Sequence, residues 1–369
     1  MKNAFKITAF DGRARCGELK TPHGIIETPV FMPVGTQGTI KGVPHEMLSS
    51  CSIILSNAYY LYLKPGVEIL IEHGGLHKFM NWEKAILTDS GGFQIFSLPD
   101  LFKISGDVVE FRSKFDGGKH FWTSEDVVDF QYKIGSDIIM VLDRCLEFPQ
   151  HLTCLEKAVN QTIRWAQKSI KHFRLKYETK QKIFAITQGG VHKKLREKCA
   201  GELSALPFDG YAVGGLGVGE PAILRKEILA EALPALPEEK PRYVMGMGPA
   251  DEIWESVENG ADMFDCVLPT RNGRNAQAFT FKGKLNLRNA QFKKDKRPID
   301  EKCLCPACKR YTRSYIHHLF DVHEMLAQTL TSLHNINFMI NLMSLIKTSI
   351  RESRFMEEKN KFISAYNGG

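Results

Sequence analysis

No stretch of this 369-residue chain approaches the ~20 consecutive apolar residues of a membrane-spanning helix. The opening MKNAFKITAF lacks the apolar core and small-residue cleavage site of a secretory leader. Both absences set the expectation of a cytoplasmic protein with no membrane partner. The nine cysteines are an odd number, and six of them (Cys16, Cys51, Cys145, Cys154, Cys199 and Cys266) stand alone in the sequence. That excludes a disulfide framework of paired spacings and fits a reducing compartment. Low-complexity segments and repeats of fixed period are missing too, which argues against a disordered tail or a solenoid. Acidic residues are scarce in one place only: residues 271–313 hold 3 Asp/Glu against 13 Lys/Arg, a local net charge of +10. The whole chain carries +7, so the remainder sums to −3.

What is present is ordinary in bulk and specific in detail. A hydrophobic fraction of 43% and a charged fraction of 25% suit a globular core. The length allows two or three average domains, or one large α/β domain with an appendage. Inside the basic stretch lies Cys303-x-Cys305-x-x-Cys308. Three thiolates this close can meet one face of a Zn²⁺ ion; the plainer readings are a redox thiol pair or a zinc knuckle that only staples a loop. Four histidines downstream, His317, His318, His323 and His334, could supply a fourth ligand, and spacing does not choose among them. Adjacent residues of a helix point in different directions, so His317 and His318 cannot both turn to one ion. Positive charge concentrated beside a structural metal suggests a surface for a polyanion, nucleic acid foremost.

Eight short β-branched or apolar runs recur along the chain: 29–35, 52–57, 85–92, 138–144, 183–190, 211–217, 242–248 and 263–269. Most are followed by amphipathic segments, such as 154–173 with Leu155, Ala158, Val159, Thr162, Ile163 and Ala166 on one stripe. Continuous apolar strands alternating with helices predict a parallel sheet covered by helices, and eight units predict a (β/α)₈ barrel of the α/β class. The runs end alike, in Asn57, Asp89, Asp143, Gln188, Gly214-Gly215, Gly246 and Asp265. In such a barrel these ends converge on one mouth, where active sites form. Singly each is most simply a turn former or helix cap; three carboxylates and an amide at one rim ask for more. Residues 1–28 and 98–122 carry turn signals between alternating runs and predict antiparallel hairpins, one before the barrel and one inserted after its third strand. Residues 279–313 form a second insertion, and helices over 314–334 and 336–363 close the chain.

Three motifs sit at these ends. Asp89-Ser90-Gly91-Gly92-Phe93 pairs a candidate acid/base with a backbone that a ligand can approach closely. Gly214-Gly215-Leu216-Gly217-Val218-Gly219-Glu220-Pro221 is not a G-x-G-x-x-G dinucleotide loop, and suits N–H groups presented to a flat ligand instead. Phe264-Asp265-Cys266-Val267-Leu268-Pro269-Thr270-Arg271-Asn272-Gly273-Arg274 puts a carboxylate just ahead of two arginines. That order fits a nucleophile at a sugar carbon with cations on flanking phosphates, or, more plainly, an Asp–Arg ion pair.

Taken together, the strings DSGGFQIFSL, GGLGVGE and FDCVLPTRNGRNAQAF and the cysteine module resemble the bacterial tRNA-guanine transglycosylases through nearly the whole chain. The resemblance implies exchange of the wobble guanine of GUN-anticodon tRNAs for the 7-deazaguanine preQ1, in queuosine biosynthesis. It implies Asp265 as nucleophile and Asp89 as general acid/base. Asp143, Gln188 and the Gly215 N–H would read the purine edge, with Asn57, Ser90, Cys145 and Gly214 in the same base site. Phe93 and Met245 would sandwich the ring, and the Leu216 carbonyl would meet the aminomethyl group of the incoming base. One structural Zn²⁺ per subunit would be held by Cys303, Cys305, Cys308 and His334, and the anticodon loop by Arg271, Arg274, Lys282 and Lys284. A homodimer is implied as well, with the zinc module near the interface. Val218 and Cys145 are similar to the bacterial pattern, in which a bulkier pocket admits preQ1 and not queuine.

The implied organisation is a barrel over 1–278, a zinc subdomain over 279–335 and a C-terminal helix over 336–369. One departure stands out: Asp143 is followed by Arg144 where the family has an acid, and a cation there should favour the ionised form of Asp143. Two rival readings are weaker. A non-enzymatic RNA-binding subunit has no need of Asp89, Asp143 and Asp265 together, and an unrelated phosphate-binding barrel leaves the cysteine module without a purpose.

Overall fold

The structure, a computed structural model, describes residues 4–367. The chain opens with three antiparallel strands, β1 (Phe5–Asp11), β2 (Ala14–Thr21) and β3 (Gly24–Thr28). Barrel strands β4 (Val30–Pro33), β5 (Ile53–Asn57) and β6 (Ala85–Asp89) follow. A second antiparallel sheet is then inserted, β7 (Phe102–Ser105), β8 (Val108–Arg112) and β9 (Lys119–Trp122). The barrel resumes with β10 (Ile138–Met140), β11 (Lys182–Thr187), β12 (Gly210–Val213), β13 (Arg242–Val244) and β14 (Met263–Cys266). Each expected hairpin is thus a three-stranded sheet, because one further alternating run pairs along its edge.

The eight barrel strands pair in parallel in the order β4-β14-β13-β12-β11-β10-β6-β5. A parallel bridge between Val34 and Leu55, with the Gly35 N–H on the Leu55 carbonyl at 2.6 Å, joins the two ends. The fold is the expected (β/α)₈ barrel. Between strands run α1 (Ala58–Leu63), α2 (Val67–Glu72), α3 (Leu76–Phe79), α4 (Gly92–Ser97) and α5 (Ser124–Lys133). Next come α6 (Leu152–Lys176), α7 (Lys193–Ser204), α8 (Ala222–Ala232), α9 (Ala250–Glu258) and α10 (Leu268–Arg274).

Side-chain alternation builds the barrel and places its chemistry. Ile53 and Leu55 on β5, Ala85 and Leu87 on β6, and Phe184 and Ile186 on β11 fill the interior. Side chains two apart share a face of a strand, so the next inward positions are Asn57, Asp89 and Gln188. The same step leads from Ala212 to Gly214, from Tyr243 to Met245 and from Met263 to Asp265. The interior therefore changes from apolar to polar at its C-terminal rim. At the opposite end Phe5, Leu19 and Ile26 of the first sheet complete the interior cluster and close the barrel floor. Buried Arg15 holds Asp262 there through two bonds, of 3.0 and 2.6 Å. On the outside, α6 buries the predicted stripe from Ala158 onward, with Leu155 half-buried, and its Trp165 Nε1 reaches the Asp107 carbonyl of the inserted sheet at 3.0 Å. Full burial of a large apolar side chain contributes about 1.5–3 kcal/mol, so this ring anchors that sheet beside the mouth.

After the barrel come the hairpin β15 (Gln277–Thr280) and β16 (Gly283–Asn286), then α11 (Pro306–Arg310), α12 (Arg313–Asp321), α13 (Met325–Arg351) and α14 (Phe355–Asn367). The break expected at 335/336 is absent: α13 runs through it for 27 residues. No glycine or proline interrupts 325–351, and the helix is buried by different neighbours along its length. Asn335 shows why the chain stays helical at the expected break. Its amide donates to the carbonyls of Pro269 (3.0 Å) and Gln277 (2.9 Å) and accepts the Phe279 N–H at 2.8 Å. The polar residue that looks like a breaker is a buried tie between α13, α10 and β15.

Candidate active site and metal centre

The rim side chains surround a cavity of about 580 Å³, lined by Asn57, Asp89, Asp143, Met245 and Asp265 among others. That size suits a small molecule or an extruded nucleotide. Asp265 ends β14, and its Oδ1 accepts the Gly246 N–H at 2.8 Å and the Tyr243 hydroxyl. Both donors fall on one oxygen, Oδ1, of a carboxylate that lines the cavity. Burial raises the pKa of Asp265, while the Gly246 N–H and the tyrosine oppose the rise.

Asp89 lies on β6 and is met by Asn57 Nδ2 at 3.3 Å; that amide also donates to Gln94 Oε1 at 3.1 Å. Burial, then the charges of Asp143 and Asp265, push the Asp89 carboxyl up to about 7. Three carboxylates in one cavity cannot all ionise cheaply, and a group poised near neutrality can both donate and accept a proton. Asp143 is 5% exposed and accepts Gln188 Nε2 at 2.6 Å. Burial raises it to about 6 against the hydrogen bonds from Gln188 and Ser90. The expected influence of Arg144 is not found: its guanidinium is not among the groups that act on Asp143. Arg144 instead lines a small crevice with Leu146 and Leu155, outside the cavity.

Glycines let these groups pack. A Cβ on Gly92 would stand 2.2 Å from Asp143 Oδ1, and one on Gly215, at φ +64°, 2.1 Å from Gln188 Oε1. Gln188 is thus wedged behind the wall, between Asp143 and the glycine loop, and Ser90 is likewise buried behind it. Gly214, Gly215, Leu216, Val218 and Cys145 line the cavity itself, and Phe93, 47% exposed, stands at its mouth across from Met245. The loop is tied down by Glu220, which accepts the N–H groups of Gly217 (2.6 Å) and Val218 (3.0 Å) and is braced by Arg225 Nη1 at 2.9 Å. N–H and C=O of a trans peptide point opposite ways, so the Gly217 bond turns the Leu216 carbonyl away from Glu220. From the back, buried Arg196 donates to the carbonyls of Gly190 (2.8 Å), Thr187 (3.1 Å) and Gly215 (3.3 Å). Tyr243, Glu220 and Arg196 escaped sequence reading; only Tyr243 left a signal, two residues before Met245 on the inward face.

Arg271 reaches the cavity edge, and Arg274 beside it keeps Nη1 buried with no partner. Burial, and then Arg271, lower the Arg274 pKa, as two guanidiniums without an anion would. Lys282 and Lys284 stand exposed on the β15–β16 hairpin, away from the cavity wall.

Cys303, Cys305, Cys308 and His334 bring their ligand atoms within 4.8 Å of one another. His334 Nδ1 lies 3.3 Å from Cys308 Sγ and 3.7 Å from Cys305 Sγ, and its Nε2 bonds the Phe279 carbonyl at 2.7 Å. A carbonyl requires a proton on Nε2, so Nδ1 offers its lone pair to the sulfurs' side. His317 is used elsewhere, on the Leu287 carbonyl and Asp321, while His318 and His323 are exposed. Three soft sulfurs and one imidazole fit a four-coordinate metal. A second cluster, His23, His77 and Asp137, also gathers donor atoms. Its imidazoles stack 3.6 Å apart at 16°, and near-parallel rings cannot both aim in-plane lone pairs at one ion. They act as a clamp on the Asp137 carboxylate, at 2.9 and 3.0 Å.

Among the described residues no helix is long and apolar enough to cross a membrane. The family profile described as Queuine tRNA-ribosyltransferase matches residues 11–368. A Queuine tRNA-ribosyltransferase of Thermoanaerobacter sp. (strain X514) is 51% identical over 98% of this chain and 97% of its own length. That of Caldanaerobacter subterraneus subsp. tengcongensis is 50% identical over 96% of this chain and 95% of its own, and that of Helicobacter pylori 45% over 98% of each. With such identity running end to end, and the rim carboxylates and the Cys₃His centre in one molecule, the chain belongs to the queuine tRNA-ribosyltransferase family.

Proposed function

We propose that this protein exchanges the wobble guanine of GUN-anticodon tRNAs for preQ1, through a covalent ribosyl ester on Asp265. The observation that carries the reading is the division of labour between two carboxylates: Asp265 held by two donors on one oxygen, Asp89 held near pH 7. In the first displacement, Asp265 Oδ2 bonds the anomeric carbon, the bond to guanine breaks, and Asp89 gives a proton to the departing base. In the second, Asp89 takes a proton from the incoming base, whose ring nitrogen bonds the same carbon as the Asp265 ester breaks. Two displacements retain configuration, as in retaining glycosidases. The ester stores the energy of the broken bond, and no nucleotide cofactor is consumed.

Asp143, Gln188 and the Gly215 N–H read the purine edge, in a site shared with Asn57, Ser90, Cys145 and Gly214. Phe93 and Met245 cover the two ring faces. The Leu216 carbonyl, turned away from Glu220, accepts from the aminomethyl group of preQ1. Although the family name speaks of queuine, the β-branched Val218 at the cavity wall leaves less room for queuine's cyclopentenyl substituent. The target base must leave the stack of the anticodon loop, where extrusion costs least; Arg271, Arg274, Lys282 and Lys284 hold the flanking phosphates. Zinc is the metal that the Cys₃His set suits, one per subunit, in a structural role. A second copy of the chain packs on the metal module, in and beside which Leu304 is 74%, Val322 51% and Met325 79% exposed. The protein works in the cytoplasm, where charged and uncharged tRNAs are met.

The test is transfer of labelled preQ1 into a tRNA with a guanine at the wobble position, with queuine as competitor. Incorporation unaffected by excess queuine supports the reading. Queuine incorporated alongside preQ1 would overturn the choice of base, and failure of both bases with intact tRNA binding would overturn the activity.

A further inference from the structure

One cluster near the mouth has no part in the chemistry above. The loop between β8 and β9 carries Lys114 and Phe115, both exposed, and overhangs α1. Lys114 Nζ sits 4.0 Å from the centroid of the Tyr60 ring and 5.2 Å from that of Phe115. Lys64 Nζ, at the end of α1, sits 4.6 Å from the Phe115 ring. Among the described residues neither lysine has a carboxylate within ion-pair distance, so ring faces alone hold both charges. The acid nearest in sequence, Asp116, is turned back on its own loop, to the Gly118 N–H at 3.1 Å and to Ser113. Lys114 and Tyr60 line the cavity together with Lys41 and Arg271, and Arg271, Lys41 and Tyr60 follow the successive barrel strands β14, β4 and β5.

We infer that Tyr60, Lys64, Lys114 and Phe115 form a second RNA-binding platform, which takes a nucleotide flanking the extruded base. The inference rests on the tRNA reading above and extends it to the inserted sheet. Unpaired cations interleaved with exposed aromatic rings are the surface that single-stranded nucleic acid recognises: phosphates meet the ammonium groups, and a base stacks on a ring. A cation resting on an exposed ring is weakly held and can turn to a phosphate without breaking an ion pair. The sheet that carries the platform is anchored by buried Trp165 and Trp122, so its tip is presented from a rigid base. Cations then line one arc of the mouth, from Arg271 past Lys41 to Lys114, along which the loop backbone can be gripped beside the extruded base.

The two kinds of contact leave different signatures in RNA affinity measured against salt. The probe is an anticodon stem-loop with a wobble guanine, titrated into the full-length protein between 50 and 200 mM salt. Phe115→Ala should weaken binding on the order of 10-fold with an unchanged salt slope, and Phe115→Trp should restore it, since stacking needs a ring and no charge. Lys114→Ala should weaken binding and reduce the slope by about one phosphate contact. Circular dichroism excludes unfolded variants, and Arg271→Ala serves as the positive control. If wild type and Arg271→Ala differ while Phe115→Ala and Lys114→Ala bind like wild type, the platform is refuted and the tRNA reading stands. If the wild type itself shows no salt-dependent binding, the tRNA reading fails first. A loss in Phe115→Ala that Phe115→Trp does not restore would equally overturn the stacking role.

Discussion

The Tyr243 hydroxyl and the Gly246 N–H converge on Oδ1 of Asp265, and the tyrosine keeps the proton it donates. Burial first, then the charge of Asp265, hold the phenol far above its usual pKa, so it stays a donor throughout the accessible range. Tyr243→Phe removes one of two bonds that favour the carboxylate form. A hydrogen bond to a charged group contributes about 1.5–3 kcal/mol. The expected result is a fall of roughly 10- to 100-fold in kcat/KM, with the acid limb of its pH profile moved to higher pH. A pH–rate profile superimposable on wild type would leave the tyrosine a purely structural role.

Asp265→Asn should abolish base exchange while tRNA binding survives, because Arg271 and Arg274, the proposed phosphate contacts, lie on α10 and not on the carboxylate. Denaturing gel electrophoresis should show a protein–RNA adduct in the wild type and none in the variant. An active variant, shown by mass spectrometry to be free of deamidation, would remove Asp265 from the nucleophile role.

The raised pKa of Asp89 has a consequence for stability. Its unfolded value lies near 3.8 and its folded value near 7, so the folded state binds this proton more tightly. Stability from this group is complete below about pH 4 and is lost as pH rises through 7. Asp89→Asn removes the ionisation and should therefore stabilise the fold at pH 8, by about 1–2 kcal/mol once solvent access at the cavity is allowed for. The gain should vanish at pH 4. Urea melts at both pH values check the sign; equal effects at both would show that the site does not strain Asp89.

Gly215→Ala places a methyl group on Gln188 at a backbone angle that side chains rarely adopt. Strain of this kind costs about 1–3 kcal/mol, and it falls on the cavity wall where the base is proposed to sit. The KM for the free base should rise at least several-fold, while RNA affinity stays as in wild type. Unchanged KM would mean that the loop does not touch the base.

Sequence alternation made the barrel and its rim legible, since a strand that alternates inward and outward carries its last inward residue to the mouth whatever that residue is. Asp89 and Asp265 were readable for that reason. Gln188 was readable as a rim residue, but its place behind Asp143 depends on the missing side chain of Gly215, a relation between two strands. Arg144 misled because adjacency in sequence is not adjacency in space: after β10 the chain turns, and neighbours diverge. The unbroken α13 was hidden since Asn335 looks like a breaker until its three partners, drawn from residues about 60 positions earlier, are known. Glu220 and Arg196 work through backbone groups, which leave no mark on the identity of the residues they hold.

Chelation of the metal, or Cys308→Ser, should lower the melting temperature and weaken RNA binding together, with metal content followed by atomic emission. A variant that loses its metal and keeps full RNA affinity would uncouple the two.

The expectation of joint loss comes from α13. His334 reaches the cysteines from this helix, and two residues earlier Ser332 packs against Gly273, where any Cβ would collide with its backbone at 2.7 Å. The arginines of α10 are thus seated on the same rod that closes the metal centre. A chain whose Cys₃His cluster holds no ion should therefore keep its rim carboxylates in place while α10, with Arg271 and Arg274, loses a firm seat.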